Sequence, residues 1–270
     1  MPRASSDKAF DIVGDVHGCL DELADLLAAL RYERSAEDPF EWSHPKGRRF
    51  VFAGDLVDRG PDTPGVLRTA MTFLRTGQGM AVVGNHDDKL LRALKGRPVK
   101  IAQGLETSLA QLRRKPRSFR RRARDFLANL PSHVVLDDGR LVVAHAGLPE
   151  ALQGQDSRRA REFAMYGATL PGRDSHGLPL RHDWAADYAG EARVVYGHTA
   201  VAEPTWRNGT IDIDTGCVYG HRLTALRYPE LELVSVPARR IHVRKSGPFR
   251  SLGPGTEPVA EDPVEAESVA

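Results

Sequence analysis

Short apolar runs alternate with stretches of helical spacing along most of the chain. Phe10-Asp11-Ile12-Val13, Phe50-Val51-Phe52-Ala53 and Met80-Ala81-Val82-Val83 each read as a buried strand bounded by turn signals. Between the first two, Leu20, Leu23, Leu26, Leu27 and Leu30 fall on one helical face. Thr63-Pro64 reads as an N-cap followed by proline at the first helical position. It opens a helix that turns Val66, Leu67, Ala70, Met71 and Leu74 inward. Another helix groups Leu90, Leu91 and Leu94, and two more are expected around 105–112 and 117–130. His133 to Leu136 and Leu141 to Ala144 then flank Asp138-Gly139, a hairpin signal. Past an irregular region come Arg193 to Tyr196, a turn at Asn208-Gly209, and strands near 210–213, 222–228 and 231–236. The early alternation predicts parallel pairing and the late hairpins antiparallel pairing, so the fold class is mixed α/β.

Composition narrows this picture. At 270 residues and 41% hydrophobic, the chain holds enough apolar material for one large domain or two small ones. No apolar run approaches the ~20 residues of a membrane span, and the first residues lack the apolar stretch of a secretory signal. Cys19 and Cys217 are too few for a disulfide framework, and their spacing suits no zinc site. A cytoplasmic protein is expected, with no membrane association and no obligate protein partner. The balance of 38 Lys+Arg against 36 Asp+Glu gives no electrostatic argument for nucleic acid. Residues 1–8 are expected to be flexible, 9–237 to form the domain, and 238–270 to be an extension, disordered from about 254, where acids, prolines and small residues dominate.

One feature exceeds what secondary structure requires. Five apolar runs end in Gly or Ala followed at once by a metal-capable side chain: Gly14-Asp15, Gly54-Asp55, Gly84-Asn85, Ala144-His145 and Gly197-His198. Open α/β sheets bind ligands at the carboxyl ends of their strands, so the five ends should converge, with glycine permitting a sharp turn after each strand. His17 adds a sixth candidate. A lone Gly-Asp after a strand is ordinary turn chemistry, but five together point to metal. Oxygen and imidazole donors without thiolate suit manganese, iron, cobalt or catalytic zinc. Six protein ligands suit two ions sharing a carboxylate, a pair that activates a bridging water for in-line displacement at a phosphoryl group. Asp58-Arg59 follows Asp55 closely and brings a guanidinium that matches phosphate oxygens bidentately. His86, next to Asn85, would sit at the rim and protonate the leaving oxygen, with Asp58 holding its ring.

These residues spell five motifs in order: Gly14-Asp15-Val16-His17-Gly18, Gly54-Asp55-Leu56-Val57-Asp58-Arg59-Gly60, Gly84-Asn85-His86-Asp87, His145-Ala146-Gly147 and Gly197-His198-Thr199. Together they resemble the calcineurin-like metallophosphoesterase superfamily on its phosphoprotein-phosphatase branch. Trp184-Ala185-Ala186-Asp187-Tyr188, Ile213-Asp214-Thr215-Gly216-Cys217-Val218 and Leu223 to Glu230 look like two bacterial groups. One is the phosphatase domain of polynucleotide kinase-phosphatase; the other is the prpE-like asymmetrical bis(5'-nucleosyl)-tetraphosphatases. The resemblance implies a four-layer αββα sandwich of two mixed sheets. It also implies two divalent ions, manganese first, with nickel, cobalt, iron or zinc as alternatives. Asp15, His17 and Asp55 would hold one ion, and Asp55, Asn85, His145 and His198 the other. His86 would be the general acid oriented by Asp58, and Arg59 the phosphate clamp. Asp214 is either a partner of a ligand histidine or a strand-end turn. The other histidines, His44, His133, His176, His182, His221 and His242, match no motif and are read as structural or surface.

Two stretches bear on substrate. The arginines of 113–124 are either a guide for phosphates or the outer side of a helix whose Phe119, Ala123, Phe126, Leu127 and Leu130 face inward. Residues 148–192 contain Arg158, Arg159, Arg161, Tyr166, Arg181, Trp184 and Tyr188, which either line a specificity pocket or pack the insert. The favoured substrate is a nucleotide-type phosphoester or phosphoanhydride, a dinucleoside polyphosphate above all. RNA or DNA ends come second and phosphoproteins third, since His-Ala-Gly and Gly-Asn-His-Asp stand where protein phosphatases show His-Gly-Gly and Gly-Asn-His-Glu.

Overall fold

A computed structural model describes residues 9–173, 179–245 and 247–250. The expected N-terminal and C-terminal tails and His176 lie outside the described residues. The first half contains β1 (Phe10–Val13), α1 (Leu20–Ala29), β2 (Glu33–Arg34), β3 (Trp42–Ser43), β4 (Arg49–Phe52), α2 (Thr63–Arg75), β5 (Gly79–Ala81), α3 (Asn85–Leu94), α4 (Leu105–Arg113) and α5 (Arg117–Ala128). The second contains β6 (His133–Leu136), β7 (Leu141–Ala144), α6 (Arg158–Tyr166), β8 (Thr169–Arg173), β9 (Pro179–Arg181), β10 (Arg193–Tyr196), β11 (Trp206–Arg207), β12 (Thr210–Asp212), β13 (Arg222–Tyr228) and β14 (Glu232–Pro237).

Two five-stranded mixed sheets dominate, in the orders β14-β13-β1-β4-β5 and β11-β12-β10-β7-β6. In the first, β1, β4 and β5 run parallel while β13 and β14 pair antiparallel at one edge. In the second, β7, β10 and β12 run parallel, with antiparallel β6 and β11 at the edges.

Strand periodicity explains the layering. Ile12, Val51 and Ala53 point between the sheets, where they meet Val143, Val195 and Ile211. Their neighbours Val13, Phe50 and Phe52 point the other way, into a core with Leu23, Leu27, Leu67, Phe73 and Leu90 of α1 to α3. On the far side, Val142, Ala144, Val194 and Tyr196 pack against Ala160 and Ala164 of α6. Both faces of the central strands are therefore buried, which is why β1, β4, β7 and β10 read as apolar runs. The four layers are helix, sheet, sheet and helix.

Two local readings change. The cap of α2 is Asp62, whose Oδ1 accepts from Gly65 N at 2.9 Å. The Thr63 hydroxyl instead pairs with Ser108 at 3.0 Å. The irregular region holds α6, capped by Ser157; its buried face is mostly alanine, which gives little hydrophobic contrast in sequence. Within the stretch expected as a C-terminal extension, residues 238–245 and 247–250 contact the domain through Ala238 N to His221 O and Arg250 N to Ala200 O, both at 2.9 Å.

Candidate metal centre

Every predicted strand-end residue lies beyond a parallel strand of one sheet or the other: Asp15 and His17 after β1, Asp55 after β4, Asn85 after β5, His145 after β7 and His198 after β10. Asp55 sits between two groups of donors. Its Oδ2 is 3.6 Å from His17 Nε2 and 3.4 Å from His145 Nε2. Asp15 Oδ2 is 3.8 Å from His17 Nε2, and Asp15 Oδ1 accepts from the His198 amide at 3.1 Å. On the other side His145 Nε2, His198 Nδ1 and Asn85 Oδ1 are mutually 2.8–3.0 Å apart.

The tautomers follow from the partners. His17 Nδ1 faces Val57 O at 2.7 Å and His145 Nδ1 faces Ala53 O at 3.1 Å, so each Nδ1 donates and each Nε2 presents a lone pair inward. Around His145, acceptor atoms then face one another at hydrogen-bond distance, an arrangement that a cation between them relieves. The donor set therefore fits divalent ions shared through Asp55.

The glycines before the ligands act mainly through space. A Cβ on Gly84 would stand 2.1 Å from Asp55 Oδ1, and one on Gly197 would stand 2.4 Å from Asp15 Oδ1. Gly54 is itself left-handed, at φ 98°, and further left-handed turning falls on non-glycine site residues. His17, Asp55, Asp58, Arg59 and His198 all have positive φ, at 45°, 47°, 73°, 69° and 76°. Such conformations cost energy and cluster where surrounding structure enforces a functional geometry.

Electrostatics carry the same signature. Burial, then the charges of Asp214 and Asp55, hold the Asp15 carboxyl well above its usual range. Burial also pushes Asp214 up, to about 6, and raises Asp212 beside it. Burial works against ionised Asp55, but its interactions with the imidazoles of His145, His86 and His17 outweigh it and hold that carboxyl low. Burial, followed by Arg59 for His17 and by His145 for His198, keeps both imidazoles well below their usual value. Crowded buried carboxyls among neutral imidazoles call for positive charge from outside the chain.

His86 Nδ1 lies 2.7 Å from Asp58 Oδ2, and its Nε2 lies 2.9 Å from an Arg59 nitrogen. The same guanidinium touches His17 Nε2, so Arg59 leans over the donors. Asp214 Oδ1 accepts from Gly216 N at 2.9 Å, the turn arrangement of its two alternatives.

A cleft of about 480 Å³ opens over the centre, lined by Asp55, Arg59, Asn85, His86 and His198 together with Tyr166, Arg181, Tyr219, Arg244 and Lys245. Of the 148–192 candidates, Tyr166 and Arg181 reach it, whereas Trp184 and Tyr188 pack against the second sheet. Of the arginines of 113–124, Arg113 and Arg114 are exposed at the end of α4, and the others lie on the outer side of α5, over buried Phe119, Ala123 and Leu127. Tyr219, Arg244 and Lys245 escaped sequence reasoning; only tertiary packing brings the last two to the cleft.

Comparison with known proteins gives the same picture. The model of the family described as calcineurin-like phosphoesterase matches residues 9–234. A bis(5'-nucleosyl)-tetraphosphatase PrpE [asymmetrical] of Anoxybacillus flavithermus is 42% identical, covering 89% of this chain and 99% of its own. The Bacillus subtilis protein of that name is 44% identical, covering 85% and 95%. A crystal structure described as a diadenosine tetraphosphatase superposes with TM-score 0.63 at 29% identity, covering 88% of this chain and 96% of that one. A protein serine/threonine phosphatase from Saccharomyces cerevisiae, at 14% identity and TM-score 0.56, shares the fold. Members of this family hydrolyse phosphate ester or anhydride bonds at a dinuclear divalent metal centre, and this chain belongs to the calcineurin-like phosphoesterases.

Proposed function

We propose that this chain is an asymmetrical hydrolase of dinucleoside polyphosphates, taking diadenosine tetraphosphate to ATP and AMP. The observation that carries the reading is the cleft itself. Four cationic side chains (Arg59, Arg181, Arg244 and Lys245) and two tyrosines (Tyr166 and Tyr219) face one donor cluster there. A tetraphosphate chain needs several positive partners, and a nucleoside needs flat apolar surface beside them. Relatives that match almost end to end bear the name of this activity.

In this reading Asp15, His17 and Asp55 hold one manganese ion, and Asp55, Asn85, His145 and His198 the other. The bound ions supply an activated water and neutralise charge on the phosphoryl oxygens. Arg59 receives phosphate oxygens with its guanidinium fork, which withdraws it from His86 Nε2. Asp58 holds the His86 ring by Nδ1; once Arg59 has left Nε2, that atom takes up a proton from solvent and passes it to the departing oxygen as the phosphorus–oxygen bond breaks. Arg181, Arg244 and Lys245 hold the remaining phosphates. The domain expected over 9–237 forms the catalytic body, and Val243, Arg244 and Lys245 complete the cleft wall. The nucleotide substrate puts the enzyme in the cytoplasm as part of the same proposal; no described helix is long and apolar enough to cross a membrane.

A substrate panel with the manganese-loaded full chain tests this. Release of ATP plus AMP from diadenosine tetraphosphate supports the proposal. Phosphate release only from RNA ends or from phosphopeptides overturns it.

A further inference from the structure

Away from the strand-end centre, a second group of metal-type donors converges. Cys19, Glu22 and His242 each place a ligand atom within 4.8 Å of the other two. Cys19 precedes α1, and Glu22 lies in its first turn, three residues on, so both face the same side of the helix. His242 arrives from the segment after β14, which is fixed by His242 N to Val218 O at 3.1 Å and Val243 N to Val218 O at 3.2 Å. Cys19 is fully buried, Glu22 is 1% exposed, and the His242 side chain is 7% exposed.

The geometry is that of co-ligands rather than of a hydrogen bond. His242 Nε2 has no hydrogen-bond partner, although it is buried. It points toward Glu22 Oε1 at 3.6 Å, too far for a hydrogen bond. That separation falls within the edge of a tetrahedral site with bonds of ~2.0–2.3 Å, which is roughly 3.3–3.8 Å. The carboxylate is already oriented, because Oε1 accepts from Arg239 N at 3.0 Å. Support of that kind is what positions a metal-binding carboxylate. A cleft of about 500 Å³ lined by Glu22, Asp62, Arg239 and His242 gives an ion a way in and leaves room for a water as fourth ligand. An ordinary buried histidine would find a partner for Nε2, and none of the described residues provides one.

We propose that Cys19, Glu22 and His242 bind a third divalent ion of the zinc class, which pins the segment 238–245 to the start of α1. A thiolate among the donors separates this site chemically from the strand-end centre, whose donors are oxygen and nitrogen only. The pinned segment carries Arg244 and Lys245 to the cleft wall.

Cobalt gives a selective readout. The full chain is stripped of metal and titrated with Co²⁺, following the thiolate-to-cobalt charge-transfer absorption in the near ultraviolet. The band is expected in the unmodified protein and in Asp55→Ala, and is expected to vanish in His242→Ala and Cys19→Ser. Elemental analysis after zinc loading should find one equivalent less in His242→Ala than in the unmodified chain. Should Cys19→Ser fail to fold, protection of Cys19 from alkylation by added zinc, in the unmodified protein, reads the same site. Absence of the band in the unmodified chain overturns the proposal. So does a band that survives His242→Ala, or a Cys19–Cys217 disulfide in a chain that takes up no thiol-bound metal.

Discussion

The Nδ1 atom of His86 lies 2.7 Å from the Oδ2 atom of Asp58, with both side chains almost wholly buried. The two residues follow different strands of the first sheet, and their contact leaves only Nε2 of the ring turned toward the cleft. A histidine so held is suited to one-directional proton delivery.

His86→Ala should lower kcat by about 10²–10⁴-fold, the usual contribution of a general acid, with metal content unchanged. Asp58→Asn keeps the ring in place but alters its partner, and should cost about 10–100-fold. Steady-state kinetics with elemental analysis checks both. Loss of metal from His86→Ala would place that residue among the ligands instead.

The Asp55 carboxylate approaches the inward-facing Nε2 of a histidine in each donor group, His17 on one side and His145 on the other. Replacing Asp55 by alanine should therefore remove both strand-end ions together, whereas His198→Ala should remove only one. Counting bound manganese by elemental analysis distinguishes the two variants. Retention of two ions by Asp55→Ala would contradict a shared ligand.

Proton release on metal binding should depend on pH in a defined direction. Burial raises the Asp214 carboxyl to about 6 and Asp15 well above its usual range, so below that region the metal-free centre holds carboxyl protons. His17 and His198 are held low by burial, against protonation. An arriving cation must displace the Asp15 proton, and it meets less negative charge where Asp214 is protonated, so manganese affinity should fall as pH drops. The folding consequence has the same origin. A carboxyl raised in the folded state stabilises the metal-free protein below the unfolded value and loses that contribution as pH rises through the folded one. Calorimetry in buffers of different ionisation heat, at pH 6 and pH 8, measures the protons released. Equal release at both would remove this account.

Stability rests on a buried ionic corner distant from the catalytic residues. Arg48 bonds Asp11 at 3.0 Å, Glu230 at 2.8 Å, and the carbonyls of Phe10 and Tyr228 at 2.9 and 3.0 Å, tying β1 to the turn after β13. Arg48→Ala would leave Asp11 fully buried with only Tyr32 and Arg227 as partners. The expected loss is about 3–5 kcal/mol, toward the lower end because Arg227 remains. Urea unfolding with an unchanged slope tests it, and a loss under ~1 kcal/mol would show that the pair adds little.

Much of this molecule was legible before its structure. Short apolar runs located β1, β4, β7 and β10, and in the structure the residues that follow β1, β4, β5, β7 and β10 lie together. Those signals are local: a strand shows its period within four residues, and a ligand at its end is marked by the strand itself. The cap of α2 was misplaced by one residue because Asp62 and Thr63 are both good caps in sequence; the Thr63–Ser108 contact decides between them. Helix α6 left a weak trace because alanines bury little surface.

The chain by itself thus determined which side chains bear oxygen and nitrogen donors and that successive strand ends would present them. Tertiary structure alone decided that Gly84 and Gly197 are needed for room beside a carboxylate, that Trp184 packs while Tyr166 faces the cleft, and that His242 comes to rest beside Cys19 and Glu22. Those outcomes depend on contacts between residues far apart in sequence, and no periodicity within a single element records which distant surface will cover it.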